Sequence, residues 1–381
     1  MKIDVMTKDK DIKTVVPALR FPEFRDGEGW KRTPILEICE IIGGGTPTSS
    51  NDVYWNGDIP WISSSDINEN NISEITPTRH ITKDAIKNSA TKLCKAPSIH
   101  IVSRVGVGKV AFSRVDICTS QDFTNLCNIN CNYIFLSYLL SIIMKQKVQE
   151  TQGTSIKGIA SAEIKNLHVP LPEIEEQQRI ADCLSSLDDL ISSVADKIET
   201  LKEYKKGLMQ QLFPAEGKTI PAIRFPEFQN KGEWEEAILG DYVEIKGRIG
   251  YRGYTTNDIV EKGEGAISLS PTNITDNGEL IFNKCTYISW VKYNESPEIM
   301  LDRGYVVLVK TGSSYGKSAL VKQLPQKTTI NPQIVILKPQ KMNDVFLSLL
   351  ISHNLIQKQI NKAIVAVSYT HLRAHETGAY L

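Results

Sequence analysis

The phrase PALRFPEF at residues 17–24 returns as PAIRFPEF at residues 221–228, changed only at Leu19 against Ile223. Trp30 and Trp234 follow the two copies at the same offset. The likeness continues downstream. SIHIVSRV (98–105) and KVAFSRV (109–115) flank a GVG turn and predict a hairpin, and YVVLVKT (305–311) and SALVKQL (318–324) flank a Gly-Ser turn and predict another. An apolar helix is expected after each hairpin, YIFLSYLLSIIMKQKVQ and DVFLSLLISHNLIQKQI, and the two align at Phe135-Leu136-Ser137 and Phe346-Leu347-Ser348. At 381 residues the chain is long for a single core. An internal duplication with diverged middles resolves this: two domains, each opened by the same phrase.

Between the halves, residues 171–214 read LPEIEEQQRIADCLSSLDDLISSVADKIETLKEYKKGLMQQLFP. Ile180, Leu184, Leu187, Ile191, Val194, Ile198 and Leu201 succeed one another at alternating steps of four and three residues. That is the 3.5-residue seam of a coiled coil, narrower than the stripe of a globular surface helix. Pro172 suits a first helical position, Glu173, Glu175 and Glu176 suit the positive end of the helix dipole, and Pro214 marks the stop. A helix over 172–213, roughly 60 Å long at ~1.5 Å per residue, is expected to join the two domains. Its seam requires another helix to cover it.

Composition narrows the possibilities. Lys plus Arg equals Asp plus Glu at 44 each, which argues against a whole-surface nucleic-acid footprint, although a local basic groove is compatible with zero net charge. The seven cysteines fall at irregular spacing, which suits reduced thiols better than a disulfide framework, and no Cys-x2-Cys pair suggests zinc. The opening MKIDVMTKDKDIK lacks the apolar core of a signal peptide, and the longest apolar run, 133–144, is too short to span a membrane. A soluble, cytoplasmic protein is expected.

Several motifs invite catalytic readings and fail them. In TGSSYGKSA (311–319), Gly312 and Gly316 enclose three residues where a phosphate loop needs four, and the stretch sits in a predicted hairpin turn. NPQI (331–334) lacks the second proline and the aromatic that an amino-methyltransferase tetrapeptide uses on a flipped base. Gly106-Val107-Gly108 opens no helix. The EIK tripeptides at 163–165 and 244–246 lack the further carboxylate of a nuclease metal site. His80, His100, His168 and His353 are isolated and read as surface or packing residues. No nucleophile, base and oxyanion site assembles, so the chain reads as non-catalytic.

What remains is polar, loop-rich and different between the halves. The first half offers Thr46, Thr48, Ser63, Ser64, Ser65, Arg104 and Lys109. The second offers Lys246, Arg248, Tyr251, Arg252 and Tyr254, then Lys310, Ser313, Ser314, Tyr315 and Lys317. Arg and Lys grip phosphates or guanine edges, and hydroxyls bond either phosphates or bases. Taken singly each is an ordinary solvated loop residue. As a set, in loops repeated with altered chemistry, they read as candidate DNA contacts of two heads with different targets.

RFPEF…W, GGGTP…YWNGDIPWI, LPEIEEQQRIADCLSSLDDLI and LKEYKKGLMQQLF, in this order over nearly the whole chain, resemble the specificity subunit of type I restriction-modification systems. The resemblance implies two target recognition domains, each reading one half of a bipartite double-stranded DNA sequence, with helical spacers fixing the distance between the half-sites. It implies that two modification subunits dock on the helical region and methylate adenine with S-adenosylmethionine, and that restriction subunits add ATP- and Mg-dependent translocation and cleavage. No cofactor is then expected in this chain. The rival readings are a coiled-coil scaffold without DNA recognition and a phosphate-loop-like enzyme.

The expected fold is α+β: an N-terminal arm at 1–16, recognition domains at 17–168 and 217–366, and the coiled-coil spacer at 172–213. By the period of the repeat a second LPEIEEQQ helix is expected near 377–384, so a chain ending at Leu381 reads as C-terminally truncated. VSYTHLRAHET (367–377) resembles one reading frame of a transposase-based sequencing adapter, so 367–381, with His371 and His375, are set aside as a non-native tail.

Overall fold

In SIHIV every side chain is buried, which a strand achieves only when both faces of its sheet are covered. The computed structural model describes residues 14–150, 158–249 and 252–363, and shows what covers them. Tyr251 and the tail 367–381 lie outside the described residues. The chain divides into two units, 1–199 and 200–381.

The first unit begins with β1 (Thr14–Val15), β2 (Trp30–Pro34), α1 (Ile35–Ile38) and β3 (Glu40–Gly43). It continues through β4 (Ile59–Ile62), β5 (Arg79–Ile81), α2 (Lys83–Lys87) and β6 (Leu93–Cys94). The hairpin expected from sequence is β7 (Ser98–Val102) and β8 (Val110–Ser113), followed by β9 (Ile117–Thr119), β10 (Phe123–Cys127) and α3 (Tyr133–Glu150). α4 (Ser161–Lys165) and β11 (His168–Leu171) lead into the long helix α5 (Ile174–Leu212). Strands β3-β10-β7-β8 form an antiparallel sheet, and β5-β4-β9-β6 form a second in which β4 and β9 run parallel. Thr14 and Val15, in the stretch read as an arm, pair with β2, whose other edge takes β11.

Alternation divides the central sheet. Ile99, Ile101, Val110, Phe112 and Leu126 pack on Leu136, Leu140, Ile143 and Met144 of α3. Val102, Ala111, Phe123 and Cys127 face the opposite way, onto Ile62, Ile67, Cys94 and Ile117. The result is three layers, helix on sheet on sheet. Removing a side chain such as Ile143, 2% exposed, costs about 2–5 kcal/mol.

The second unit repeats the plan. Its strands are β12 (Val243–Gly247), β13 (Ile259–Val260), β14 (Gly265–Leu269), β15 (Thr286–Ser289), β16 (Val306–Val309), β17 (Ser318–Leu320), β18 (Thr328–Ile330) and β19 (Ile334–Pro339). α6 (Trp290–Asn294) follows β15, and α7 (Asp344–Ser352) and α8 (Asn354–Ala363) follow β19. The antiparallel sheet β12-β19-β16-β17 matches β3-β10-β7-β8 strand for strand. Val306, Leu308, Val335 and Leu337 pack on Leu347, Ile351 and Ile360, while Val307, Val309, Ala319, Ile334 and Ile336 face Leu269, Ile299, Leu301 and Ile330.

One helix expected from sequence is two. The run from Asp344 breaks at His353, whose backbone is extended at φ −72° and ψ 143°. There His353 Nδ1 accepts from the Leu355 N–H and its ring stacks 4.9 Å from Phe213, so the break is capped and packed.

The seven cysteines are free thiols. Burial pushes Cys39 and Cys131 up to about 12 and Cys118 up to about 11, so these three are packing residues rather than nucleophiles. Among the described residues no helix is long and apolar enough to cross a membrane, and no group of three His, Cys, Asp or Glu could hold a metal.

Candidate nucleic-acid interface

Two turns converge in each unit. In the first, β4 leaves the sheet at Ser63 and tightens into a 3-10 turn, Ser64–Asp66. The Asp66 carboxylate accepts from the Ser63 N–H at 2.7 Å, the Ser63 hydroxyl at 2.8 Å and the Thr78 hydroxyl at 2.8 Å. Burial acts to raise the Asp66 carboxyl, but these hydrogen bonds with Arg79 nearby outweigh it and hold the group below its ordinary range. Ser63 and Ser65 hydroxyls lie 2.9 Å apart. The β7–β8 turn meets them: Lys109 Nζ donates at 3.4 Å to the Ser64 and Ile67 carbonyls. Ser63, Ser64, Ser65 and Lys109 are thus one cluster.

The register of the second unit reproduces the arrangement with other residues. Ser270 caps a 3-10 turn, Pro271–Asn273, donating to Asn273 Oδ1 at 3.0 Å, and its hydroxyl lies 2.8 Å from that of Thr272. Gly108 and Gly316 take the same place in the two hairpin turns. Each has positive φ, 95° and 81°, and each N–H reaches back to the last residue of the preceding strand, Val102 or Val309. The following lysines, Lys109 and Lys317, are therefore equivalent, but Lys317 forms an ion pair with Asp276 at 2.6 Å.

Thr46 and Thr48 lie on the loop after β3, and two tryptophans hold that loop. Trp61 Nε1 donates to the Gly45 carbonyl at 2.9 Å and Trp55 Nε1 to the Thr48 carbonyl at 3.2 Å. Thr46 hydroxyl bonds Gln121 in the β9–β10 turn. The exposed Arg79 guanidinium lies 4.3 Å from the Trp61 ring centre and 5.7 Å from that of Trp55. Arg104 is exposed on the β7–β8 turn.

In the second unit Arg248 departs from the expected surface position. It is 5% exposed, and its guanidinium donates to the Ile330 carbonyl at 3.1 Å, the Thr329 hydroxyl at 3.3 Å and the Arg252 carbonyl at 3.3 Å. The β-sheet register places it where Gly44 stands in the first unit, so a guanidinium does there what close backbone approach does here. Desolvation lowers its pKa, and it sits 5.5 Å from the Tyr254 ring. Arg252 reaches Glu298 at 3.5 Å, and Lys246 pairs with Glu244 at 2.8 Å. Lys310 is half-buried on the hairpin turn, and burial lowers its pKa. Ser313, Ser314 and the 43%-exposed Tyr315 occupy the tip of the same turn.

The TGSSYGKSA stretch is that turn, with Tyr315 N–H bonding the Gly312 carbonyl; no helix begins there to cradle a phosphate. NPQI is the tight β18–β19 turn, Asn331 Oδ1 accepting from the Gln333 N–H at 3.0 Å, and it corresponds to SQDF at 120–123. Sequence reasoning missed Arg79, Gln121, Ser270 and Thr272. Aligning WISSSDI with SLSPTNI would have found the last two, but only two serine and isoleucine anchors survive at matching places.

Among the described residues the seam on α5 is covered only at its start. Ala181 is buried and Ile180 and Leu184 half-buried, and Asp188 accepts from the Tyr138 hydroxyl at 2.6 Å. Further on, Leu187, Ile191, Val194, Ile198 and Leu201 are 49–66% exposed.

Comparison with known proteins gives this geometry a lineage. Residues 27–203 match the family model of the type I restriction modification DNA specificity domain. The chain is 24% identical over 331 residues to the type I restriction enzyme MjaIX specificity subunit of Methanocaldococcus jannaschii, covering 83% of this chain and 73% of that protein. It is 33% identical over 184 residues to the EcoR124I/EcoR124II specificity subunit of Escherichia coli, 45% of this chain and 44% of that one. The crystal structure of a Type-I restriction-modification system S subunit from M. genitalium shares the fold, with TM-score 0.54 at 15% identity over 93% of this chain and 84% of that one. Residues 27–203 thus match the type I restriction modification DNA specificity domain, and over most of its length the chain is similar to type I restriction-modification specificity subunits.

Proposed function

We propose that each unit reads one half-site of a bipartite duplex DNA sequence through the converging turns, and that α5 presents its exposed seam to partner subunits. The observation that carries this is the repeated cluster: the same backbone, a capped 3-10 turn beside a glycine hairpin turn with its lysine, bearing Ser63-Ser64-Ser65 in one unit and Ser270-Pro271-Thr272 in the other. A scaffold for reading two unlike sequences needs a common frame and unlike tips. Hydroxyls and lysines at those tips bond base edges and phosphates. The chain supplies recognition. Modification subunits using S-adenosylmethionine, and restriction subunits using ATP and Mg, carry the chemistry.

The test is an exchange of residues 30–168 with those of a relative of different specificity, within the assembled complex, followed by methylation mapping. Half of the methylated site is expected to change and the other half to stay. An unchanged site would leave the chain a scaffold, and a site changed in both halves would end the one-unit, one-half-site assignment.

A further inference from the structure

The loop after β3 and the start of β5 build a feature that the second unit lacks. Arg79 opens β5 with its guanidinium over the Trp61 ring, 4.3 Å from the ring centre, and 5.7 Å from that of Trp55. The two rings meet edge to face at 85° with centres 5.1 Å apart, so the cation lies in a corner of aromatic surface. The corner is firmly held. Trp61 is 2% exposed and donates to the Gly45 carbonyl, and Trp55 donates to the Thr48 carbonyl. The turn that carries Trp55 is tied to the end of β5 by the Thr82 N–H, which donates to the Tyr54 carbonyl at 3.0 Å. Beyond Trp55 the backbone passes β5 so closely that a Cβ on Gly57 would fall 2.1 Å from the Ile81 carbonyl oxygen.

Arg79 itself is exposed, and its side chain makes no hydrogen bond or ion pair among the described residues. Its place in the sheet puts those free donors beside the converging turns. Arg79 pairs with Trp61, two residues before the Ser63 cap. Its neighbour Thr78 bonds the same Asp66 carboxylate that holds the Ser63–Asp66 turn. β9 runs parallel to β4 and so ends at the same edge, where Gln121 meets Thr46.

The register of the second unit puts Ser268 at the place of Trp61 and Thr286 at that of Arg79. This asymmetry separates two roles. Phosphates carry no sequence information, so groups that both units share, such as the hairpin lysines, suit the DNA backbone. A cation that one unit has alone suits the bases that only its half-site contains. A planar fork already fixed on aromatic faces also loses little freedom when it meets a rigid, two-acceptor edge.

We infer that Arg79 reads a guanine in the half-site of the first unit, its fork donating to O6 and N7 in the major groove, with Trp55 and Trp61 as positioning residues. The inference rests on the reading of the first unit as a half-site reader.

The test uses the assembled complex. Methylation mapping defines the bipartite site, and the exchange of residues 30–168 shows which half belongs to the first unit. Each guanine of that half is then replaced in turn by deazaguanine, which carries C–H in place of N7 and still pairs with cytosine. At one position the unaltered complex is expected to lose about fivefold to twentyfold in specific affinity. Arg79→Ala is expected to lose about tenfold to a hundredfold on the natural duplex, to ignore that deazaguanine, and to methylate sites degenerate at that base pair alone. Arg79→Gln keeps the stem and carries the test if Arg79→Ala fails to fold; it shifts the preference there from guanine toward adenine. Trp55→Leu lowers discrimination at the same base pair by about twofold to fivefold.

A half-site without guanine on either strand would overturn the inference, as would a guanine that stays equally sensitive in both Arg79 variants. A loss uniform across sequences would make Arg79 a phosphate contact, and an unchanged site and affinity would make it a packing residue. In all these outcomes the exchange of residues 30–168 still switches half of the site. An exchange that leaves the site unchanged removes half-site reading itself, and the inference with it.

Discussion

The faces that the two central sheets turn toward their companion sheets differ in chemistry at matching buried places. In the first unit His100 Nδ1 lies 2.8 Å from Asn125 Oδ1, Asn125 Nδ2 donates to Thr119 Oγ1 at 2.9 Å, and Ser98 Oγ is 3.2 Å from His100 Nε2. In the second unit the register puts Val307, Ile336 and Ile330 at the places of His100, Asn125 and Thr119. All six are completely buried. The frame therefore demands filled volume and satisfied donors rather than apolar side chains as such. Since an amide oxygen only accepts, Nδ1 must carry the imidazole proton, leaving Nε2 to accept from Ser98 and the ring neutral. The companion sheets differ too: β6 extends the first beside β9, whereas β13 extends the second beside β15 at the opposite edge.

The sharpest break in the equivalence is at Gly44 and Arg248. A Cβ on Gly44 would fall 1.9 Å from the Ser120 carbonyl oxygen and 2.4 Å from Thr119 Oγ1, a clash with backbone that no rotamer relieves. Gly44→Ala is expected to destabilise the first unit by about 4 kcal/mol or more, or to prevent its folding. Arg248→Ala leaves room and loses donors to two carbonyls and a hydroxyl, so about 1–3 kcal/mol is expected. Urea unfolding of the two variants checks the order. Equal losses would mean that the close backbone approach at Gly44 tolerates a Cβ better than its distances imply.

Acid separates the units next. Burial lowers His100 from 6.5 to about 4, with the Asn125 hydrogen bond opposing it. In the unfolded chain the imidazole takes a proton near 6.5 and in the folded one only near 4, so between these values the unfolded state binds more protons. Stability is therefore complete above about pH 6.5 and falls as pH drops toward 4, by about 2–3 kcal/mol at pH 4.5. His100→Val with Asn125→Ile and Thr119→Ile, copying the second unit, is expected to remove that part of the acid dependence. Unfolding free energy of both proteins from pH 7 to 4.5 measures it. An undiminished slope in the triple variant would assign the acid sensitivity elsewhere.

The contrast also shows what was legible in the residues. The hairpins β7–β8 and β16–β17 were readable because short alternating strands flank glycine turns, and α3 and α5 because apolar spacing persists for many turns. The parallel pairing of β4 with β9 was not, since nothing local in IPWI or ICT specifies a partner more than fifty residues away. The break at His353 was hidden because the ring that packs on it, Phe213, comes from the end of another helix. The candidate site suffered most. Ser63 through Ser65 and Lys109 stood out as polar loop residues, but that they meet, and that Ser270 and Thr272 repeat them, depends on sheet register. Arg248 looked like a surface cation because charge says nothing about which way a side chain turns.

The smallest effect asked of the comparison concerns the two equivalent lysines. Among the described residues Lys109 makes only long contacts, 3.4 Å to two carbonyls, so its ammonium retains most of its capacity for a phosphate. Lys317 is held by Asp276 at 2.6 Å, with the carboxylate 88% exposed, and an incoming phosphate must compete with that pair. Exposed pairs are worth about 0–1 kcal/mol, so neither Lys109→Ala nor Lys317→Ala should shift unfolding by more than about 0.5 kcal/mol. On specific duplex DNA in the assembled complex, Lys109→Ala is expected to lower the slope of log affinity against log salt by about 1, and Lys317→Ala by less. Asp276→Asn frees Lys317, and should strengthen binding and steepen that slope toward the value the first unit gives. The single measurement that separates phosphate grip from base reading is the sequence dependence of the loss. A uniform loss across sequences marks a backbone contact, while a loss confined to one base pair of the half-site makes Lys109 a reader of bases. If Asp276→Asn leaves both affinity and slope unchanged, Lys317 does not face DNA, and the equivalence of the two hairpin turns ends at their backbones.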